Sequence, residues 1–538
     1  MTLVGNRSGL KTKQLRQLER LAQKKINPAE IISRDLARSM ASLTVELNRQ
    51  LGLLVHRSGK VEQVIVGDHE RIVIPVLDQV RCSGGRLRGL RCIHTTLGNK
   101  GLNEEDIMDM ACLRLDLMSV LTITDGYPDL LHTAHLLPGK VEDRDWQQLT
   151  PVHPAAPQQS CIELIESIEE EFARLRPIRA VDKGIDRAIL ISVSTGARHV
   201  AEDSMLELAE LARAANVQVV EQVVQRRRKM HPRFILGRGK LMDIVLMSLR
   251  TGANLLLFDQ ELTPSQIRSV TNHTDLRVID RTQLILDIFA SRALSREGKL
   301  QIEMAQLKYL LPMLSTRDDA LSRLTGGIGA RGPGETKLEI DRRRINDRIA
   351  RLAKELKGVA RQRYHRRTRR RKHDVPVISL VGYTNAGKST LLNTLTKSEI
   401  LAEDMLFATL DPTSRRLRFP TDLEVIITDT VGFIRHLPAE LLKAFASTLE
   451  ELIEADLLLH VIDLSNPAWR EQVTVVDDLL RDLDLGMIPC LRVYNKIDKV
   501  TSDVRSQVDD GVCISAVDKD TLQALLPVIE DQLLARQR

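Results

Sequence analysis

Val375-Pro-Val-Ile-Ser-Leu-Val381, Gly382-Tyr-Thr-Asn-Ala-Gly-Lys-Ser-Thr390 and Leu391-Leu-Asn-Thr-Leu395 follow one another without a break. The first is a short apolar run rich in β-branched residues, which reads as a buried strand, and the last has the leucine spacing of a helix. GxxxxGKS between a strand and a helix is a phosphate-binding loop in the context that it requires. Gly382 and Gly387 let the backbone of Tyr383, Thr384, Asn385 and Ala386 wrap a phosphate chain. Lys388 brings an ammonium to the terminal phosphates, the Ser389 hydroxyl suits Mg2+, and Thr390 begins the helix whose N-terminus faces the anion.

Further along, Leu423-Glu-Val-Ile-Ile-Thr428 reads as a strand ending in Asp429-Thr430-Val431-Gly432, an acid for the metal followed by a glycine whose amide can sense a γ-phosphate. Cys490-Leu-Arg-Val-Tyr494 leads into Asn495-Lys496-Ile497-Asp498, and Val512-Cys-Ile514 into Ser515-Ala516-Val517. The Asp498 carboxylate matches the paired N1 and N2 donors of guanine, whereas adenine would leave it unpaired. Each motif stands at a strand end, in the order one site needs. GTP is therefore the expected substrate, with Mg2+ as cofactor, and the region from 373 to 538 is an expected P-loop G domain closing on a helix over 521–534.

The whole chain of 538 residues corresponds to three or four domains. With 43% hydrophobic and 28% charged residues it reads as globular. It contains no apolar run long enough for a membrane span and no secretory signal segment. The first eighteen residues are basic and free of acids, so an organelle transit peptide stays open beside an ordinary helix carrying Leu15, Leu18 and Leu21. Six scattered cysteines suit a reducing cytoplasm, and Cys82, Cys92, His94 and Cys112 lack zinc-module spacing, which favours core cysteines over a metal.

The fold class expected is α/β multidomain. Residues 1–138 form an α+β region with strand-like runs at 52–56, 64–67, 70–75 and 120–124 and a helix after Pro28. Residues 139–180 are polar and proline-rich, as in a linker. Alternating strands and helices over 181–296 indicate a small parallel α/β domain. Leu300, Met304, Leu307, Leu311 and Leu314, then Ile345, Ile349, Leu352 and Leu356, predict two amphipathic helices in a hairpin over 297–372. Its tip is the glycine-rich 324–335 segment. The second helix runs into Arg361-Gln-Arg-Tyr-His-Arg-Arg-Thr-Arg-Arg-Arg-Lys372, with eight basic residues in twelve. Arg226, Arg227, Arg228 and Lys229, Arg331, and Arg366, Arg367, Arg369, Arg370 and Arg371 are the expected RNA contacts. Aromatics are only 3% of the chain, so phosphate and shape, not base stacking, would dominate.

The nucleotide motifs resemble those of the translation-factor-related GTPases. On that resemblance Phe407-Ala408-Thr409-Leu410-Asp411 is the first switch and Thr409 the threonine that ligates Mg2+ beside Ser389, with Thr413 as the competing choice. Such proteins often place a water-orienting glutamine where this chain has Phe433, so no catalytic side-chain base is identified and slow intrinsic hydrolysis is expected. Asn385 resembles the residue that helps hold K+ in potassium-dependent relatives, and a loop asparagine also serves backbone conformation alone. Thr325-Gly-Gly-Ile-Gly-Ala-Arg-Gly-Pro-Gly-Glu-Thr336, Phe258-Asp-Gln-Glu-Leu-Thr-Pro-Ser-Gln266 and Asp429-Thr-Val-Gly-Phe-Ile-Arg-His-Leu-Pro438, together with the first switch and the phosphate loop, make the region 180–520 resemble the HflX family. The resemblance implies a cytoplasmic GTPase that binds the large ribosomal subunit and its rRNA and separates stalled or heat-damaged ribosomes. A monomer is expected. A GTPase assisting subunit assembly or RNA maturation is the alternative, and residues 1–160 lie outside the resemblance.

Overall fold

The structure, a computed structural model, describes residues 2–538 apart from 76, 78–86, 142–143, 158, 175–184, 275, 316–336, 372–374, 397–406, 408–412, 420–422, 436–451, 509 and 538. The chain divides into two compact units: residues 1–205 with 217–279, and residues 206–216 with 280–538.

In the first unit, strands β1 (Thr2–Gly5), β2 (Leu51–His56), β3 (Val61–Val66), β4 (Leu90–Leu97), β5 (Leu117–Thr124), β6 (Tyr127–Val141) and β7 (Arg144–Gln148) form one sheet in the order β1-β3-β2-β4-β5-β6-β7. Helices α1 (Thr12–Gln23), α2 (Arg34–Leu47), α3 (Glu104–Cys112) and α4 (Cys161–Arg174) accompany it. Leu18 and Leu21 of α1 are buried in the same core as Met40 and Leu43 of α2 and Leu53 of β2. The 70–75 run, although strand-like in sequence, lies outside the sheet.

The expected linker over 139–180 is corrected by this unit. Part of it is the end of β6 and the whole of β7, with Leu136 paired to Trp146, and part is α4. Cys161, Ile165, Ile168 and Phe172 of α4 recur at steps of four, three and four and are all buried. Mean composition hid this because a few apolar residues at helical period suffice to anchor an otherwise charged helix. Arg57 fastens it further, pairing with Asp116 at 2.7 Å and Glu169 of α4 at 2.9 Å.

Strands β8 (Arg187–Ser194), β9 (Gln218–Arg226), β10 (Leu255–Phe258) and β11 (Arg277–Asp280) form a second sheet, ordered β11-β10-β8-β9, in which β8 runs parallel to both β9 and β10. With it come α5 (Arg198–Ala214), α6 (Arg238–Thr251) and α7 (Pro264–His273). Leu246 and Leu249 of α6 share a core with Met110 and Phe172, so residues 1–174 and this α/β layer form one body where two separated domains were expected. Cys92 and Cys112 are buried among apolar neighbours, and burial pushes the Cys112 thiol up to about 12. His94 Nε2 lies 2.9 Å from Asp106 Oδ1, Cys82 falls outside the described residues, and among those described no three metal-ligating side chains converge.

In the second unit, β12 (Val377–Val381), β13 (Thr413–Arg418), β14 (Glu424–Asp429), β15 (Leu457–Asp463), β16 (Cys490–Asn495) and β17 (Val512–Cys513) are ordered β13-β14-β12-β15-β16-β17. Every pairing is parallel except β13 with β14. The central strand β12 ends where the phosphate loop starts. Helices α8 (Arg281–Arg292), α9 (Arg296–Ser315), α10 (Lys337–Arg371), α11 (Lys388–Thr396), α12 (Trp469–Asp482) and α13 (Lys519–Gln537) complete the unit. On α10, Ile345, Ile349, Leu352 and Leu356 are the less exposed positions among charged ones, and Arg348 meets Glu303 of α9 at 2.7 Å. The glycine tip with Arg331 lies outside the described residues, as do the side chains of 360–371. Among the described residues no helix is long and apolar enough to cross a membrane.

Candidate nucleotide site

The parallel sheet of the second unit delivers its motifs to one edge because every parallel strand ends on the same side. Gly387 has φ 93°, and a Cβ there would collide with Asn495 Nδ2. That crowding reflects a purpose: Asn495 Nδ2 donates to Ala386 O at 2.8 Å while its Oδ1 accepts from Ala516 N at 2.8 Å. One buried side chain thus staples the phosphate loop to both guanine-reading loops. Asn385 has φ 62°, a left-handed conformation that asparagine tolerates better than most residues.

Lys388 is 6% exposed, and its Nζ donates to Gly382 O at 3.1 Å and Tyr383 O at 2.8 Å. An ammonium has three protons, so one remains for a phosphate oxygen. Burial lowers its pKa to about 8, against the opposing pull of Asp429. Ser389 Oγ donates to Asp429 Oδ2 at 2.6 Å, which puts a hydroxyl and a carboxylate together at the head of α11. Two hard oxygen donors beside the phosphate loop fit Mg2+, which Ser389 and Asp429 would help hold there.

Thr430 Oγ1 donates to Leu380 O at 2.6 Å, fixing the chain that follows β14 against β12. A Cβ on Gly432 would stand 2.9 Å from Lys388 Nζ and 2.7 Å from Thr384 Cα, so only a glycine lets the backbone pass so close to the ammonium. Phe433 is 2% exposed. Its N donates to Gly382 O at 3.1 Å and its O accepts from Thr384 N at 2.7 Å, a two-bond bridge between the phosphate loop and the DTVG segment.

At the base-reading end, Asp498 is exposed and accepts from Ser515 Oγ at 2.6 Å, a bond that holds its carboxyl below the usual range. Lys496 Nζ meets Asp463 Oδ2 at 2.7 Å, Ile497 is half-buried, and Val517 is exposed. An Asp498→Asn variant presents one donor and one acceptor where guanine needs two acceptors. It is expected to lose about tenfold or more in GTP affinity while gaining for xanthosine triphosphate, whose C2 carbonyl takes the new donor. Competition binding with both nucleotides checks this, and an unchanged preference counts against Asp498 as the base reader.

Of the first switch only Phe407 is described, buried with its ring centroid 4.5 Å from that of Phe289 on α8. Ala408, Thr409, Leu410 and Asp411 lie outside the described residues, and Thr413 opens β13. Arg226, Arg228 and Lys229 are exposed at the end of edge strand β9 and beyond it, in the first unit, and Arg227 is half-buried there.

Sequence reasoning gave no site role to Glu207, Arg281 or Arg435. Tyr383 hydroxyl, Arg435 N and Arg281 all reach Glu207. Neither Glu207, in an ordinary helical pattern, nor Arg281, far upstream, carries a local signal of this.

Three family models match the chain: one described as GTP-binding GTPase N-terminal over residues 202–290, one as GTP-binding GTPase Middle Region over 292–370, and one as 50S ribosome-binding GTPase over 377–496. GTPase HflX of Alkalihalophilus pseudofirmus is 50% identical over 333 residues, covering 62% of this chain and 79% of the relative. GTPase HflX of Caldanaerobacter subterraneus is 47% identical over 65% of this chain and 81% of its own length. GTPase HflX of Escherichia coli is 45% identical over 60% of this chain and 76% of its own length.

Proposed function

The chain belongs to the HflX family of GTPases, and from that premise we propose that it hydrolyses GTP on the large ribosomal subunit and uses the cycle to separate stalled or stress-damaged ribosomes. The proposal takes the protein to be a cytoplasmic monomer. Gly382 to Thr390 hold the phosphates, Phe407 to Asp411 and Asp429 to Gly432 answer the γ-phosphate, and Asn495 to Asp498 with Ser515 to Val517 hold guanine. Ser389 and Thr409 would ligate Mg2+, which when bound shields the β- and γ-phosphate charge. The proposal leaves out K+, because the left-handed backbone at Asn385 accounts for that residue by itself.

One observation carries the reading: the site supplies phosphate, metal and base contacts, while the usual position of the water-orienting glutamine holds the buried Phe433. A phenyl ring neither accepts nor donates a proton. Turnover then waits for a group from outside, and a ribosomal particle contacted by the 50S-binding domain is the source that the family match supports. Arg226, Arg227, Arg228 and Lys229, with Arg331 and Arg366, Arg367, Arg369, Arg370 and Arg371, would meet rRNA phosphates.

Phe433→Gln is expected to raise unstimulated GTP turnover by about tenfold, since it restores a group able to orient water. Single-turnover hydrolysis reads this, with thermal melting alongside because the position is buried. A folded variant that turns over no faster shows that the missing side chain does not limit the rate.

A further inference from the structure

A buried ionic cluster joins the phosphate loop to the chain just past the DTVG segment. Glu207, near the middle of α5 and within the second unit, pairs its Oε1 with Arg281 at 3.0 Å, their side chains being 10% and 4% exposed. The same oxygen accepts from the Tyr383 hydroxyl at 2.9 Å and from Arg435 N at 3.2 Å. Arg435 N also donates to the Tyr383 hydroxyl at 2.7 Å, and Arg281 donates to Arg435 O at 3.2 Å. Burial and the neighbouring carboxylate push the Tyr383 phenol well above its ordinary range, so it remains a donor.

These bonds bind two pieces of the nucleotide machinery to one acid and base. Tyr383 is the first variable residue of the phosphate loop, and Arg435 follows the DTVG segment by three residues. Between them runs the backbone bridge of Phe433 to Gly382 and Thr384, which sets Gly432 against Lys388. The backbone of Arg435 donates to Glu207 of α5 and accepts from Arg281 of α8, and these bonds hold the far end of that bridge. Arg281, the first residue of α8, follows the cap residue Asp280, whose Oδ2 accepts from Tyr309 of α9 at 2.7 Å, so the clamp stands on a fixed helix end.

We propose that Glu207 and Arg281 are positioning residues for the γ-phosphate half of the nucleotide site, holding Gly432 and Phe433 in place through Tyr383 and Arg435. The inference rests on the reading of this site as a GTP site and on no partner. Its consequence is selective. GDP is held by the phosphate loop and the guanine loops, which the clamp touches only at the Tyr383 hydroxyl, whereas the Gly432 amide meets only the third phosphate. Removing the clamp therefore penalises GTP and spares GDP.

The experiment is equilibrium binding of fluorescent GDP and of a non-hydrolysable GTP analogue to the full-length chain and to Glu207→Ala and Glu207→Gln. For Glu207→Ala the analogue is expected to weaken about tenfold while GDP stays within about twofold. Glu207→Gln should fall between, since its amide oxygen still accepts the Tyr383 proton but leaves Arg281 without its counter-charge. Adding Tyr383→Phe to Glu207→Ala should cost less analogue affinity than the two single changes summed, because both act on one network in which only the Arg435 N bond to the Tyr383 hydroxyl survives the loss of Glu207. A general loosening of the fold would weaken both nucleotides alike, and that result, or no change in either, overturns the proposal. Should Glu207→Ala fail to fold, the near-isosteric Glu207→Gln carries the same comparison. A wild-type chain that binds neither nucleotide overturns the site reading itself, which is a separate outcome.

Discussion

Lys388→Ala is expected to lower kcat/KM for GTP by about 10^3-fold, the range found when one preorganised charge donor is removed from a transition state. The lysine is buried, two loop carbonyls take two of its protons, and the third is left for phosphate. Burial lowers its pKa to about 8. The same shift dictates a pH dependence. The form that binds phosphate is the ammonium, which predominates below pH 8 and is lost as pH rises through that value. GDP affinity should therefore be nearly flat from pH 6 to 7 and weaken about tenfold between pH 7 and 9, following titration of the free site. Isothermal titration in buffers of matched ionic strength measures it. In the Lys388→Ala variant that slope should vanish, which separates the lysine from other groups titrating in the same range.

Separated large ribosomal subunits are expected to raise GTP turnover of the wild-type chain by about 10^3-fold, the low end of what a stabilising group supplied in trans contributes to phosphoryl transfer. The site holds donors for phosphate and a carboxylate acceptor for guanine, and the position after Gly432 is a buried phenylalanine. Lys388→Ala with the same subunits is the blank. Small subunits should not stimulate, and stimulation by precursor particles in preference to mature subunits would turn the reading toward assembly. Equal turnover with and without large subunits removes the ribosome as the trigger. Stimulation without subunit separation would keep the trigger and discard the splitting function.

GYTNAGKST, DTVG, NKID and SAV are contiguous phrases, each compressed into one loop because a strand end offers only a few residues to a ligand. Such phrases are readable without coordinates. The clamp of Glu207, Arg281, Tyr383 and Arg435 joins residues up to 228 positions apart, and its acid and base, Glu207 and Arg281, both lie outside every motif. No period or spacing relates a glutamate on α5 to a backbone amide after β14. The polar 139–180 segment failed for the opposite reason: its composition resembles a linker, and Trp146, Cys161, Ile165, Ile168 and Phe172 acquire meaning only once β6 and the sheet give them something to cover.

The local chemistry proposed for this protein was legible in the sequence alone: a phosphate loop on a buried strand, an acid and glycine for the third phosphate, an aspartate for guanine, and a phenylalanine where a glutamine is usual. Tertiary structure decided which residues outside those phrases hold them. It showed that one asparagine staples three loops, that a buried ion pair bonds to the backbone of Arg435 three residues past the DTVG segment, and that the chain divides after residues 205, 216 and 279 in place of the polar segment. The physical reason is range. Hydrogen-bonding groups within a loop are set by covalent geometry over a few residues, whereas burial, and the partner that a buried charge must find, depend on packing among segments far apart in the chain.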